Sequence, residues 1–146
     1  MDQNIKKPCA IKIALEDNDK ELKKESKFLE EFFDIGFLPR LLSFEESEEL
    51  SPYLSEELMG PNLQKLYEYC DEKIDIKTMC NIGIDLLSSI NAIHKKNILH
   101  CDIKPTNICW NIMDNYEIHP DLVIIDFGLC TYLKDECETK FKGNKI

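Results

Sequence analysis

Apolar residues recur three and four apart through Met79, Ile82, Leu86, Ile90 and Ile93, a spacing that places all five on one face of a helix over about 78–95. A shorter stripe through Leu22, Leu29, Phe32 and Phe33 predicts a helix over about 19–33. Glu25 falls on that stripe, three residues after Leu22 and four before Leu29, and Glu21, Glu30 and Glu31 compete less well for it. An acid on a buried face needs a cationic partner.

Elsewhere the apolar runs are short and strand-like. Residues 9–15 are mostly apolar, broken once by Lys12 and closed by the acidic turn at 16–19. Further strands are expected over 41–44, around Tyr53 and Leu54 after an acidic turn at 45–49, over 108–110, and over 122–125 ending at Asp126. Gly36-Phe37-Leu38-Pro39 and Gly60-Pro61-Asn62 punctuate the chain, with Asn62 suited to cap a short helix through Leu63, Leu66 and Tyr67. Asn97 is a stop signal for the long helix. The order is strand, helix, strands, a hinge at 58–60, helices and a hairpin. This is an α+β plan in two lobes, 1–57 and 61–146.

At 146 residues, 43% hydrophobic and 32% charged, the chain suits one globular domain and is not disordered. A formal net charge of -10 argues against nucleic acid or an anionic membrane as partner, since both select basic surfaces. Seven cysteines form no C-x-x-C pair, and the first residues hold no apolar leader core. Free thiols and a cytoplasmic or nuclear location are expected. Cys70, Cys80 and Cys109 are expected as small buried hydrophobes. No oligomeric state follows.

The densest chemistry lies in His100-Cys101-Asp102-Ile103-Lys104-Pro105-Thr106-Asn107, with Asp126-Phe127-Gly128 beginning nineteen residues after Asn107. An aspartate, a nearby lysine, an amide oxygen and a second aspartate supply a base, a cation and two hard ligands. Phosphoryl transfer needs that set, because its catalysis is almost wholly positioning and charge neutralisation. His100 is expected to brace the loop, and Trp110 to lie in the core. His94 and His119 are expected at the surface.

The order H-x-D-x-K-P-x-N then D-F-G resembles the protein kinase superfamily. Glu57-Leu58-Met59-Gly60-Pro61-Asn62-Leu63 is similar to the E-L-L-G-P-S-L hinge of the casein kinase 1 group. Glu25-Ser26-Lys27 and the run from Ile93 to His100 also resemble that group and its relatives, the vaccinia-related kinases. The resemblance implies an ATP-dependent serine/threonine protein kinase acting on a protein substrate, with ATP and Mg2+. It implies Asp102 as the group receiving or orienting the hydroxyl proton, Lys104 on the γ-phosphate, and Asn107 and Asp126 as magnesium ligands. Lys12, in Ala10-Ile11-Lys12, would hold the α/β-phosphates and pair with Glu25. Ala10 would pack on adenine, and backbone groups from Glu57 to Met59 would bond its edge.

The pattern departs from the family in four places. No glycine precedes Gly36, so the glycine-rich lid before Lys12 is missing, and the chain ends eighteen residues after Gly128. Cys101 stands where the family places arginine, and Glu56 where it places an apolar residue. The expectation is a partial domain, truncated at both ends, with little turnover of its own. The alternative is a catalytically impaired fragment or a pseudokinase-like binding module. Small-molecule phosphotransferases share H-x-D-x-x-x-x-N but usually lack Lys104-Pro105 and the D-F-G turn.

Overall fold

The computed structural model describes residues 8–15, 19–46, 51–112 and 117–133. Of the expected acidic turns at 16–19 and 45–49, residues 16–18 and 47–49 lie outside the described residues, and Asp19 begins a helix.

Strand β1 (Cys9–Ile13) leads to helix α1 (Asp19–Glu31), then to β2 (Leu41–Glu45) and β3 (Tyr53–Glu57). These strands form one antiparallel sheet in the order β1-β3-β2, and Glu45, expected in a turn, ends β2. Along β1 the inward positions are Ala10 and Lys12, while Ile11 and Ile13 are exposed. One polar residue inside an apolar strand therefore faces the protein and its apolar neighbours face out.

Helix α2 (Leu63–Tyr69) is capped by Asn62, whose side chain accepts the Lys65 N–H at 2.9 Å. Asp75 caps α3 (Ile76–His94) by accepting the Thr78 N–H at 3.0 Å. On the expected face of α3, Ile82 and Ile93 are buried, Leu86 and Ile90 half-buried and Met79 exposed. Beyond the helix end at His94 the turn closes at a left-handed Asn97, φ 58°, as its side-chain chemistry permits. No described helix is long and apolar enough to cross a membrane.

After α3 come β4 (Ile98–Leu99), a 3-10 turn at Pro105–Asn107, β5 (Ile108–Ile112), β6 (Ile118–Ile124) and β7 (Thr131–Tyr132). β5 and β6 form a hairpin, and β4 pairs with β7. β6 starts earlier than expected because it absorbs Pro120. The register passes from Trp110↔Leu122 to Asn111↔His119, so Pro120 and Asp121 sit at an irregularity where a missing N–H is tolerated.

The main core joins the sheet side to the hairpin side. Leu22, Phe28 and Leu29 of α1 and Phe32 just after it pack with Leu54 of β3, Ile93 of α3, Ile124 of β6 and Phe127. Phe28 and Phe127 stack with ring centroids 4.4 Å apart. A second cluster of Ile82, Ile108 and Leu122 is flanked by Trp110, a core contact as expected. Cys109 is buried and Cys70 half-buried, but Cys80 is exposed, contrary to expectation. It lies two residues before buried Ile82, roughly 200° around the helix from the packed face.

Candidate active site

Two constellations meet where α1 packs on the turn after β6. The first is buried. Lys12 Nζ donates to Glu25 Oε1 at 2.6 Å, and the same oxygen accepts the Phe127 N–H at 2.9 Å. Glu25 is only 3% exposed, because the α1 stripe that buries Leu22 and Leu29 carries it inward. Helical spacing puts Glu25 on the buried face, and Lys12, the partner implied by the resemblance, is the cation it meets.

Lys12 has a second anionic neighbour. Glu56, on β3 beside Ala10, places Oε1 3.2 Å from Lys12 Nζ. Its Oε2 is buried without a hydrogen-bond partner. Burial pulls the Lys12 ammonium down, but Glu25 and Glu56 outweigh it and hold Lys12 above its ordinary value. Burial pushes the Glu56 carboxyl up against the pull of Lys12, and Glu25 and Asp126 reinforce the rise. From sequence, Glu56 was only a misplaced acid. The signal was its position on β3, but the contact depends on the pairing of distant strands.

The second constellation is the loop after β4. Lys104 Nζ donates to Asp102 Oδ2 at 2.6 Å, and Asn107 Nδ2 donates to the same oxygen and to the Asp102 carbonyl, both at 3.0 Å. The Lys104 hydrogen bond holds the Asp102 carboxyl below the usual carboxylate range, and Asp102 in turn raises Lys104. His100 braces this loop from inside. Its Nδ1 accepts the Asp102 N–H at 3.1 Å, so the ring proton is on Nε2, which donates to the Ile125 carbonyl at 3.0 Å. Burial lowers the His100 pKa and favours this neutral form. Cys101 and Asp126 both have left-handed backbones, φ 68° and 69°, a strain typical of functional turns.

The loops are tied together by backbone. The Ile125 N–H donates to the Asn107 carbonyl at 3.0 Å, which brings Asp126 beside Asn107. The segment after β3 is bound to β5, since the Gly60 N–H donates to the Trp110 carbonyl at 2.7 Å and the Trp110 N–H to the Pro61 carbonyl at 3.2 Å. A Cβ on Gly60 would lie 3.0 Å from that Trp110 oxygen, so the close approach requires glycine. Lys12, Glu25, Asp126, Asn107, Asp102 and Lys104 therefore form one connected region, with Ala10 beside Glu56 at its sheet end. Glu57 ends β3 and Met59, half-buried, follows it. The Glu57 N–H is already committed to the Arg40 carbonyl at 2.9 Å.

A paired lysine on a strand, a braced aspartate loop and a second aspartate on a Phe-Gly turn match the parts of a phosphotransferase of the kinase class. The protein kinase domain family model matches residues 1–145, and the chain belongs to the protein kinase family. Its α+β fold is accordingly a kinase fold, and membership brings with it ATP, a divalent cation and a protein substrate.

The donors present fit such a cation. Asn107 commits its amide nitrogen to Asp102, which leaves the side-chain oxygen as the outward donor. The Asp126 carboxylate accepts no hydrogen bond among the described residues. The described residues contain no cluster of three or more His, Cys, Asp or Glu for a metal. One carboxylate and one amide oxygen suit a hard ion that keeps water and phosphate as its other ligands.

Proposed function

We propose that the chain is a serine/threonine protein kinase core similar to the casein kinase 1 group, with magnesium as its divalent ion. The observation that carries this reading is Glu25 Oε1, which joins the Lys12 strand, the α1 helix and the Phe127 turn at one atom. Bound Mg-ATP supplies the transferable phosphoryl group and neutralises its charge. Lys12 holds the α/β-phosphates, Asn107 and Asp126 hold the ion, and Ala10 packs on the base. The segment 58–60 serves as hinge between lobes 1–57 and 61–146, and backbone groups from Glu57 to Met59 meet the adenine edge.

Asp102 receives the proton of the substrate hydroxyl at Oδ1, because Oδ2 is held by Lys104 and Asn107. Lys104 reaches Asp102 from two residues away and neutralises charge on the transferring group. A lysine at that spacing supports Ser/Thr as the acceptor. The six described cysteines are all unpaired, which favours a cytoplasmic or nuclear setting.

Acceptor choice tests the proposal. Radiolabelled phosphate from Mg-ATP should appear on peptides offering Ser or Thr and not on matched peptides offering Tyr. Labelling of the Tyr peptide alone would overturn the serine/threonine reading. A second reading, nucleotide binding without transfer, is favoured by Glu56, which occupies a side of Lys12. Bound Mg-ADP with no labelled peptide is its signature.

A further inference from the structure

Two carboxylates compete for the single ammonium of Lys12, and they are not equivalent. Glu25 is fully employed, since Oε1 takes Lys12 at 2.6 Å and the Phe127 N–H at 2.9 Å. Glu56 makes only the longer 3.2 Å contact, and its other oxygen is buried with no partner. For stability alone, an apolar side chain would serve better at this point of β3, because a buried oxygen without a donor costs free energy. Glu25 also shows that Lys12 is already paired without Glu56.

What Glu56 adds is negative charge at depth. It feels Lys12 of β1, Glu25 of α1 and Asp126 beyond β6, and Cys109 of β5 feels it in turn. Glu25 and Glu56 are two acids on one ammonium, so Lys12 is over-matched in charge before any phosphate arrives. An ammonium also has three N–H donors; one is given to Glu25, and Glu56 lies within ion-pair reach of the same nitrogen.

We propose that Glu56 is a positioning residue that holds Lys12 from a second side and thereby limits the grip of this chain on nucleotide phosphates. The inference rests on the nucleotide reading above. It predicts that removing the Glu56 charge improves binding, the reverse of the usual result for a residue within a binding site. The gain should scale with ligand charge, because Glu56 acts through Lys12 and its field and not on the base.

The test is calorimetric titration of the 146-residue chain, Glu56→Gln and Glu56→Met with Mg-ADP and with adenosine. Both variants should bind Mg-ADP about tenfold more tightly than the unsubstituted chain, the size of one partly screened charge interaction. Adenosine, which has no phosphate, should bind all three alike. The urea midpoint of Glu56→Met should equal or exceed that of the unsubstituted chain, since Glu25 still pairs Lys12 and the orphaned oxygen is gone. Unchanged or weaker Mg-ADP binding overturns the inference and leaves the kinase reading intact. An equal gain for adenosine also overturns it, by showing a contact with the base. Variants that both unfold would make Glu56 a structural ion-pair partner and end the proposal. Failure of every chain to bind Mg-ADP would overturn the nucleotide reading itself, and this inference with it.

Discussion

In each half of the site one carboxylate oxygen takes two donors. Glu25 Oε1 receives Lys12 at 2.6 Å and the Phe127 N–H at 2.9 Å, and Asp102 Oδ2 receives Lys104 at 2.6 Å and Asn107 at 3.0 Å. The bonds are alike, but the surroundings are not. Side-chain exposure is 29% and 3% for Lys12 and Glu25, against 49% and 26% for Lys104 and Asp102. Water screens the second pair and competes for its donors, whereas the first pair has little else to bond. The same hydrogen-bond pattern therefore lies buried in the core in one place and open to water in the other.

The sharpest way to break this comparison is Glu25→Ala. It leaves Lys12 with only the longer contact to Glu56 and the buried Phe127 N–H without its acceptor, and it should cost roughly 3 kcal/mol in urea unfolding. A loss comparable to that of an exposed pair would show that Glu25 is solvated. Gly60→Ala probes the join between the regions. Its Cβ would meet the Trp110 backbone oxygen at 3.0 Å, and backbone cannot swing aside, so a loss of about 1–3 kcal/mol is expected.

His100 couples the two regions and adds a pH dependence. Its pKa is depressed in the folded chain below the ordinary 6.5, so the unfolded chain takes up the proton first as pH falls. The stability it contributes is present above pH 6.5 and is lost as pH falls through the depressed folded value. Urea midpoints recorded from neutral pH downward should show this slope, and His100→Gln should remove that part of it. The smallest structural effect is expected for Lys104→Ala. Its melting temperature should match that of the unsubstituted chain, because the Asp102 pair is open to solvent.

Local patterning carried most of the fold. Glu25 could be assigned to the inner face of α1 because helical spacing fixes which residues share a stripe, and the cap at Asn62 followed from side-chain chemistry. The spacing from Asp102 to Asn107 and the D-F-G turn drew attention to the residues that the fold then brings together. Contacts set by pairing of distant strands were not legible. The Glu56–Lys12 contact depends on β1 lying against β3, and the early start of β6 depends on an irregularity opposite Trp110. Cysteine's usual burial does not extend to Cys80, which stands on the outer face of α3.

The central claim is that the buried pair supports the fold while the exposed loop supports the chemistry. Asp102→Asn keeps the shape of that side chain and removes its charge, so it tests the division most directly. Urea midpoint and radiolabelled phosphate transfer to a Ser/Thr peptide should be recorded on the same preparations of this variant and the unsubstituted chain. The midpoint should be unchanged while the low transfer expected of the unsubstituted chain falls further, by roughly 10²–10⁴-fold, the usual worth of a placed general base. A midpoint lowered as far as that of Glu25→Ala, or transfer that persists undiminished, would contradict it.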